Sequence, residues 1–183
     1  MKKEIIFYKR PTEYYNALPI KGMPQIQKEI YLDTGSPITV ISIPSLLQIT
    51  GDSLSSFRLS VEGFLDKNHA IVFGGYDMKS NAYRYRLIPY IVNEVEIGAT
   101  TMRPFMFWVN INNYKVEDAP TLFGMDYFHQ GKKWFDEKDN IHIAFDKGYT
   151  CDTGEVGAAL KQSGAILKLS QFKDDEWDSL SRD

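Results

Sequence analysis

The chain has 183 residues, of which 43% are hydrophobic and 25% are charged, so it is long enough for one domain with a packed core. Its formal net charge is −3, from 21 basic and 24 acidic side chains, and it contains no polybasic run. These values exclude an electrostatic basis for binding nucleic acid or an anionic membrane surface. The single cysteine, Cys151, excludes an internal disulfide and cannot form a zinc site without several other ligands.

No apolar run reaches the roughly 18 residues of a membrane-spanning helix. The apolar stretch at residues 5–8 is shorter than the core of a signal peptide. We therefore expect a soluble, cytoplasmic protein. His69, His129 and His142 lack metal-binding spacing, and the chain contains neither a phosphate-binding loop nor a Gly-x-Ser-x-Gly motif. We expect no metal and no cofactor.

Strand patterns dominate the first third of the chain. Residues 4–8 predict a first strand, and residues 10–24, with three prolines, predict a connecting loop. The alternation at residues 26–32 and the β-branched run at residues 38–41 predict two further strands. A short helix is expected over residues 43–50, ending at Gly51.

The rest of the chain predicts further strands and one more short helix. Short strands are expected at residues 57–61 and 70–73, with Gly74-Gly75 as a turn. Longer strands are expected at residues 83–95 and 103–109, and one or two helical turns at residues 125–130. Residues 133–145 predict a β-hairpin. We therefore predict an all-β domain over residues 1–150 and a partly mobile C-terminal extension over residues 151–183.

The sharpest motif is Asp33-Thr34-Gly35-Ser36, an acid in a tight turn between two apolar β-runs. Glycine permits backbone geometry that other residues resist, and the two hydroxyls can bond the carboxylate or brace the loop. The alternative is that Asp33 is only a turn residue that caps its own loop. A second triplet, Asp152-Thr153-Gly154, has no apolar strand on either side, and too little chain follows it to build a second lobe. We interpret that triplet as a chance match.

Three elements follow one another in a recognisable order. They are the loop at Asp33, the glycine-containing stretch at residues 71–76, and Leu122-Phe123-Gly124, which leads into a short helix. In this order and context the sequence resembles the retropepsin-like (retroviral-type) aspartic proteases over roughly residues 26–145, as a cellular or bacterial member. The resemblance implies a single-lobe closed β-barrel with one or two short helices. It also implies a homodimer in which Asp33 of each subunit supplies one of two catalytic carboxylates.

The resemblance also implies roles for the residues that follow Asp33. The Thr34 hydroxyl would bond across the two-fold axis and hold the two motif loops together. Gly35 would let backbone amides approach the carboxylates, and Ser36 would bond the outer carboxylate oxygen.

Two further groups of residues receive roles in the same way. Gly74 and Gly75 would form the hinge of a flap over the substrate, and Tyr76 would line the cleft. Leu122 and Phe123 would pack under the motif loop, and Gly124 would let that loop pass closely.

The function that these features imply is endopeptidase cleavage of an extended polypeptide. Two carboxylates about 3 Å apart do not both ionise readily, so one is a general base for water while the other, protonated, polarises the scissile carbonyl. Two alternatives stay open. One is a non-catalytic dimerising domain of the same fold that binds peptides or acts as a scaffold, and the other is an unrelated β-barrel binding protein with a chance motif.

Overall fold

The computed structural model describes residues 3–65, 70–77, 82–111, 119–151 and 166–167. Most of these residues form strands, as the sequence predicts. The strands are β1 (Lys3–Lys9), β2 (Tyr14–Ile20), β3 (Met23–Leu32), β4 (Val40–Ser42), β5 (Ala70–Asp77), β6 (Ala82–Val92), β7 (Val95–Ile97), β8 (Thr100–Met102), β9 (Phe105–Asn110), β10 (Thr121–Phe123), β11 (Lys132–Phe135), β12 (Ile141–Phe145) and β13 (Ile166–Leu167). The helices are α1 (Ile43–Thr50), α2 (Leu54–Leu65) and α3 (Met125–Phe128).

The strands form one sheet of 11 strands and a separate β7–β8 hairpin. The order in the large sheet is β11-β12-β1-β2-β3-β10-β4-β9-β6-β5-β13. A barrel closes only when the first and last strands of the order pair with each other. Within the described residues β11 and β13 do not pair, so the sheet is open and the expected closed barrel is wrong.

Side-chain alternation along the central strands gives the sheet two apolar faces. The main core lies on one face and includes Ile30, Ile41, Phe107 and Phe123, each fully buried. A smaller buried cluster of Ile38, Leu87, Met106 and Trp108 lies apart from that core. Trp108 is the neighbour in sequence of Phe107, so the two side chains leave β9 on opposite faces.

Helix α1 begins and ends at the predicted residues. The Ser42 side chain accepts a hydrogen bond from the backbone N–H of Ser45 at 3.3 Å, and Pro44 lies in the first turn. Gly51 ends the helix with φ at 76°, a left-handed conformation that glycine adopts without strain. The predicted helix at residues 43–50 is therefore confirmed.

The strand expected at residues 57–61 is wrong, because these residues belong to α2. Phe57 and Val61 are buried one helical turn apart, while Leu59 between them is 71% exposed. The backbone N–H of Ser56 donates to the Ser53 side chain at 3.1 Å, which caps the start of this helix.

The loop expected at residues 10–24 is also wrong over most of its length, since β2 occupies its centre. β2 pairs with β3 in an antiparallel register that places Tyr15 opposite Tyr31 and Asn16 opposite Ile30. Pro19 lies beside a register shift, where a missing backbone N–H interrupts the ladder least.

The predicted hairpin at residues 133–145 is confirmed as β11 and β12. β12 also pairs with β1, so the two ends of the domain lie side by side in the sheet. β13 adds a short strand to the free side of β5.

None of the helices among the described residues has the length and apolar character needed to cross a membrane.

Candidate active site

The motif loop connects two strands that are separated in the sheet by a third. β10 lies between β3 and β4, parallel to β3 and antiparallel to β4. Leu122 of β10 is opposite Tyr31 on one side and opposite Val40 on the other. The chain that runs from β3 to β4 must therefore cross the C-terminal end of β10, and Asp33 lies at this crossing.

Backbone hydrogen bonds fix the loop onto β10 and α3. The N–H of Asp33 donates to the carbonyl of Phe123 at 3.0 Å, which extends the β3–β10 ladder by one bond. The N–H of Ser36 donates to the carbonyl of Asp33 at 3.1 Å and closes a turn. The N–H of Met125 donates to the carbonyl of Ser36 at 2.8 Å. The position of Asp33 therefore depends on main-chain contacts from two elements distant in sequence.

The side chain of Asp33 is half-buried, and it accepts a hydrogen bond from the backbone N–H of Gly35 at 2.9 Å. Thr34 is exposed, and its hydroxyl makes no hydrogen bond within the described part of the chain. The Ser36 hydroxyl donates to the carbonyl of Ile38 at 2.6 Å. The expected bond from Ser36 to the carboxylate is therefore not formed in this chain.

Gly124 stands where the loop passes closest to the start of α3. A Cβ atom at this position would lie 2.2 Å from the carbonyl oxygen of Ile38 and 2.8 Å from that of Ser36. Real Cβ atoms essentially never approach a neighbour this closely, and both neighbours here are backbone atoms. Only glycine fits here without displacing the motif loop.

Asp126 is an anchor of the loop that sequence reasoning missed. Its carboxylate accepts the backbone N–H of Thr39 at 3.0 Å and the Thr39 hydroxyl at 2.7 Å. The Thr39 hydroxyl in turn accepts the N–H of Gly124 at 3.0 Å. Burial raises the pKa of Asp126, and the two bonds from Thr39 oppose that rise. The sequence signal for this anchor was its place in the first turn of a predicted helix, because carboxylates are favoured at helix N-termini.

Leu122 and Phe123 lie on opposite faces of β10. Phe123 is fully buried in the main core, with its ring 5.0 Å from that of Phe7 and 5.9 Å from that of Tyr127. Leu122 is half-buried on the other face, in one row with Tyr31 and Val40, which are also half-buried. This row is a partly open apolar surface that begins two residues before Asp33.

Gly74, Gly75 and Tyr76 lie inside β5, the first strand of the β5–β6 hairpin. The turn predicted at the two glycines is wrong. The pairing register with β6 shifts between Phe73 and Tyr76, and glycines are tolerated at such irregularities because they need no side-chain packing. Residues 78–81, which connect β5 to β6, lie outside the described residues, as does the second triplet Asp152-Thr153-Gly154. The role of these three residues in a flap stays a prediction.

The chemistry available at this loop is that of one carboxylate held at a surface by main-chain bonds. Within the described residues, Asp33 is hydrogen-bonded to no second carboxylate, and no group of three or more His, Cys, Asp or Glu side chains is arranged to hold a metal ion. A single aspartate can act as a general base, whereas polarisation of a substrate carbonyl needs a separate proton donor.

Comparison with known proteins gives a faint likeness to solved structures. No protein-family model matches the chain, and no curated protein matches it in sequence. Among solved structures, the chain is similar to a retropepsin-like aspartic protease from Rickettsia conorii, with a TM-score of 0.45 and 15% identity over 79% of this chain and 93% of that one. These values are too low to assign a family, so the function of the loop has to be inferred from its own residues.

Proposed function

We propose that the protein is an aspartic endopeptidase in which Asp33 of two identical chains acts on one extended polypeptide. The observation that carries this proposal is the position of Asp33. Its carboxylate is half-buried, while its loop is held by main-chain hydrogen bonds to Phe123 and Met125. A carboxylate kept accessible on a rigidly held turn is the arrangement that general acid–base chemistry requires.

The second carboxylate is the reason for proposing a homodimer. Among the described residues Asp33 is hydrogen-bonded to no second carboxylate, and one carboxyl group cannot serve as general base and proton donor in the same step. A two-fold axis next to the loop would place Asp33 beside its own copy, so that the pair shares one proton. The exposed Thr34 hydroxyl has no hydrogen-bond partner among the described residues, so it is available to bond the facing loop.

The proposed reaction needs no group beyond these carboxylates and water. The ionised Asp33 takes a proton from water as the water oxygen attacks the scissile carbonyl carbon. The protonated Asp33 of the second chain donates its proton to the carbonyl oxygen. When this gem-diol intermediate collapses, the C–N bond breaks and the amide nitrogen leaves with the proton from the first carboxyl group. The second carboxylate takes back one hydroxyl proton as the new carboxyl group forms, which restores the starting pair.

The proposed substrate lies extended across the row formed by Tyr31, Leu122 and Val40. This row is apolar, half-buried and begins next to Asp33, so it suits the side chains of an extended peptide. The β5–β6 hairpin, with Gly74, Gly75 and Tyr76, is the proposed flap over the bound peptide.

Cleavage of an unfolded polypeptide, followed by mass spectrometry across the acidic and neutral pH range, tests the proposal. We expect a bell-shaped pH profile, inhibition by statine-type transition-state analogues, and loss of cleavage in Asp33→Asn. Asp139→Asn is a matched control, because Asp139 is 66% exposed in a hairpin turn and its φ of 60° suits asparagine. Cleavage that survives in Asp33→Asn would overturn the proposal. A dimer that cleaves nothing in either form would favour the scaffold alternative.

A further inference from the structure

Three side chains next to the motif loop form a connected set, which we call the tyrosine clamp: Arg10, Glu29 and Tyr31. The Arg10 guanidinium binds both oxygens of the Glu29 carboxylate, at 2.6 Å from Nη2 to Oε1 and at 2.9 Å from Nη1 to Oε2. The Tyr31 hydroxyl donates to Oε2 of the same carboxylate. Arg10 also lies over the ring of Tyr15, 3.3 Å from its centroid. Such two-pronged, charge-assisted pairing fixes direction as well as distance.

The clamp lies on the same side of β3 as Asp33. Along an extended chain, residues two apart point to the same face, so Glu29, Tyr31 and Asp33 share one side. The intervening residues, Ile30 and Leu32, face the main core, where Ile30 is fully buried. The ring of Tyr31 therefore borders the open apolar row that we propose as the substrate surface.

We propose that the tyrosine clamp holds the Tyr31 ring as a fixed wall beside Asp33, and that Tyr31 thereby determines which substrate side chain fits next to the scissile bond. This inference rests on the proposed peptidase function. A tyrosine held only at Cβ turns about its first side-chain torsion and can widen or narrow a pocket. Tyr31 is held at both ends, because its hydroxyl is bound to a carboxylate that Arg10 itself holds.

The charge state of the clamp is suited to acidic conditions. The bond from Arg10, and then that from Tyr31, lowers the pKa of Glu29 below its ordinary value. Glu29 therefore stays ionised at pH values where exposed glutamates begin to take up protons, and it continues to accept from Tyr31. The clamp therefore persists to lower pH than a contact with an unpaired glutamate would.

The expected consequence is that the Tyr31 ring keeps a fixed position beside Leu122 and Val40. A wall that cannot move limits the size of the substrate side chain that fits against it. Tyr31→Phe keeps the ring and removes the tether, and Glu29→Gln weakens the tether from the other side. We expect each change to raise the acceptance of phenylalanine relative to leucine by on the order of 10-fold, the size of effect that small changes in an apolar pocket produce.

The test compares kcat/KM for two peptides that differ only in leucine or phenylalanine at the position next to the scissile bond. It uses the full chain and its Tyr31→Phe and Glu29→Gln variants. Glu94→Gln is the matched control, because it breaks an exposed ion pair of similar length, 2.6 Å from Arg103 Nε to Glu94 Oε2, that is not part of the clamp. The leucine-to-phenylalanine ratio should change in the two clamp variants and stay unchanged in the control. Equal loss for both peptides, with an unchanged ratio, would show a merely structural role and overturn the proposal.

A spectroscopic titration separates this proposal from the peptidase proposal. The bond to Glu29 raises the pKa of the Tyr31 phenol above its ordinary value. The difference in ultraviolet absorbance between the native chain and Tyr31→Phe should therefore show one phenol that ionises at a higher pH than an ordinary tyrosine. In Glu29→Gln the same phenol should ionise at a lower pH than in the native chain. An ordinary titration of this phenol would contradict the clamp, whatever the activity. If the native chain cleaves no peptide, the proposed function fails and the pocket role fails with it, even where the titration finds the clamp.

Discussion

The Asp126 carboxylate binds the backbone N–H and the hydroxyl of Thr39 at 3.0 and 2.7 Å, across 87 residues of sequence. This pair joins the first turn of α3 to the chain that leaves the motif loop. Because Thr39 is fully buried, water cannot replace either bond. The shape of the loop that carries Asp33 therefore depends on a contact outside the motif itself.

Thr39→Val should destabilise the protein by about 1–3 kcal/mol. Valine has the same shape, but it leaves the half-buried Asp126 carboxylate and the buried N–H of Gly124 without the hydroxyl partner. Denaturant unfolding measures the change. Thr39→Ser retains the hydroxyl and should lose less stability. Equal losses in the two variants would assign the effect to packing rather than to the hydrogen bonds. The pKa of Asp126 should also rise further in Thr39→Val, because the hydroxyl bond from Thr39, which this change removes, lowers it.

Gly124→Ala should destabilise the protein by about 3 kcal/mol or more, because overpacking against backbone atoms forces the chain to move. The added Cβ would lie 2.2 Å from the carbonyl oxygen of Ile38. Gly63→Ala is the matched control, since a Cβ at Gly63 meets nothing within 4 Å and the residue lies inside α2. That change should be neutral or stabilise by up to about 1 kcal/mol, following helix propensity. A tolerated Gly124→Ala would contradict the close passage of the loop.

His142 should make stability depend on pH, because each of its ring nitrogens faces a carboxylate. Nδ1 lies 2.6 Å from Oε1 of Glu4, and Nε2 lies 2.8 Å from Oδ2 of Asp136. Hydrogen bonds to Glu4 first and to Asp136 second raise the pKa of His142, because the two carboxylates accept from the charged ring. The stabilisation is therefore complete below the unfolded pKa of about 6.5 and is lost as the pH rises through the higher folded value.

Unfolding of the native chain and of His142→Gln across about pH 2 to 9 checks this prediction. The difference in unfolding free energy should be largest at about pH 5, between the unfolded pKa values of aspartate and histidine, and should shrink toward the alkaline end. At acidic pH the stability changes with pH in the opposite direction, because His142 lowers the pKa of Asp136 to about 2. That part of the stability is present above the unfolded pKa of about 3.9 and is lost as the pH falls toward 2. A difference that stays constant with pH would show that His142 is not charged in the folded protein.

Local sequence signals predicted the elements whose stability is itself local. Helix α1 has a serine cap, a proline in its first turn and a glycine after its end, and all three signals act within ten residues. The β11–β12 hairpin likewise depends on neighbouring residues. Helix α2 was mistaken for a strand because Phe57, Leu59 and Val61 alternate, and residues i and i+4 fit both a strand face and a helix face.

The parts that sequence could not provide depend on contacts between distant segments. The open sheet follows from which strands pair at its two ends, and no local pattern specifies that pairing. The Thr39–Asp126 pair and the contact of Arg10 with Glu29 join residues from separate elements. Arg10 lies in a segment that the sequence predicted as a loop, so its position over the end of β3 could not be anticipated. The close passage of the motif loop at Gly124, by contrast, was expected from the sequence and is confirmed.

Subunit mixing tests the central claim most directly. Native chains and Asp33→Asn chains are mixed in varying proportions, allowed to exchange, and assayed for cleavage at constant total protein. If each active site needs Asp33 from both chains, activity falls as the square of the native fraction. A linear fall would contradict the shared pair, because it would show that each chain acts with a single Asp33.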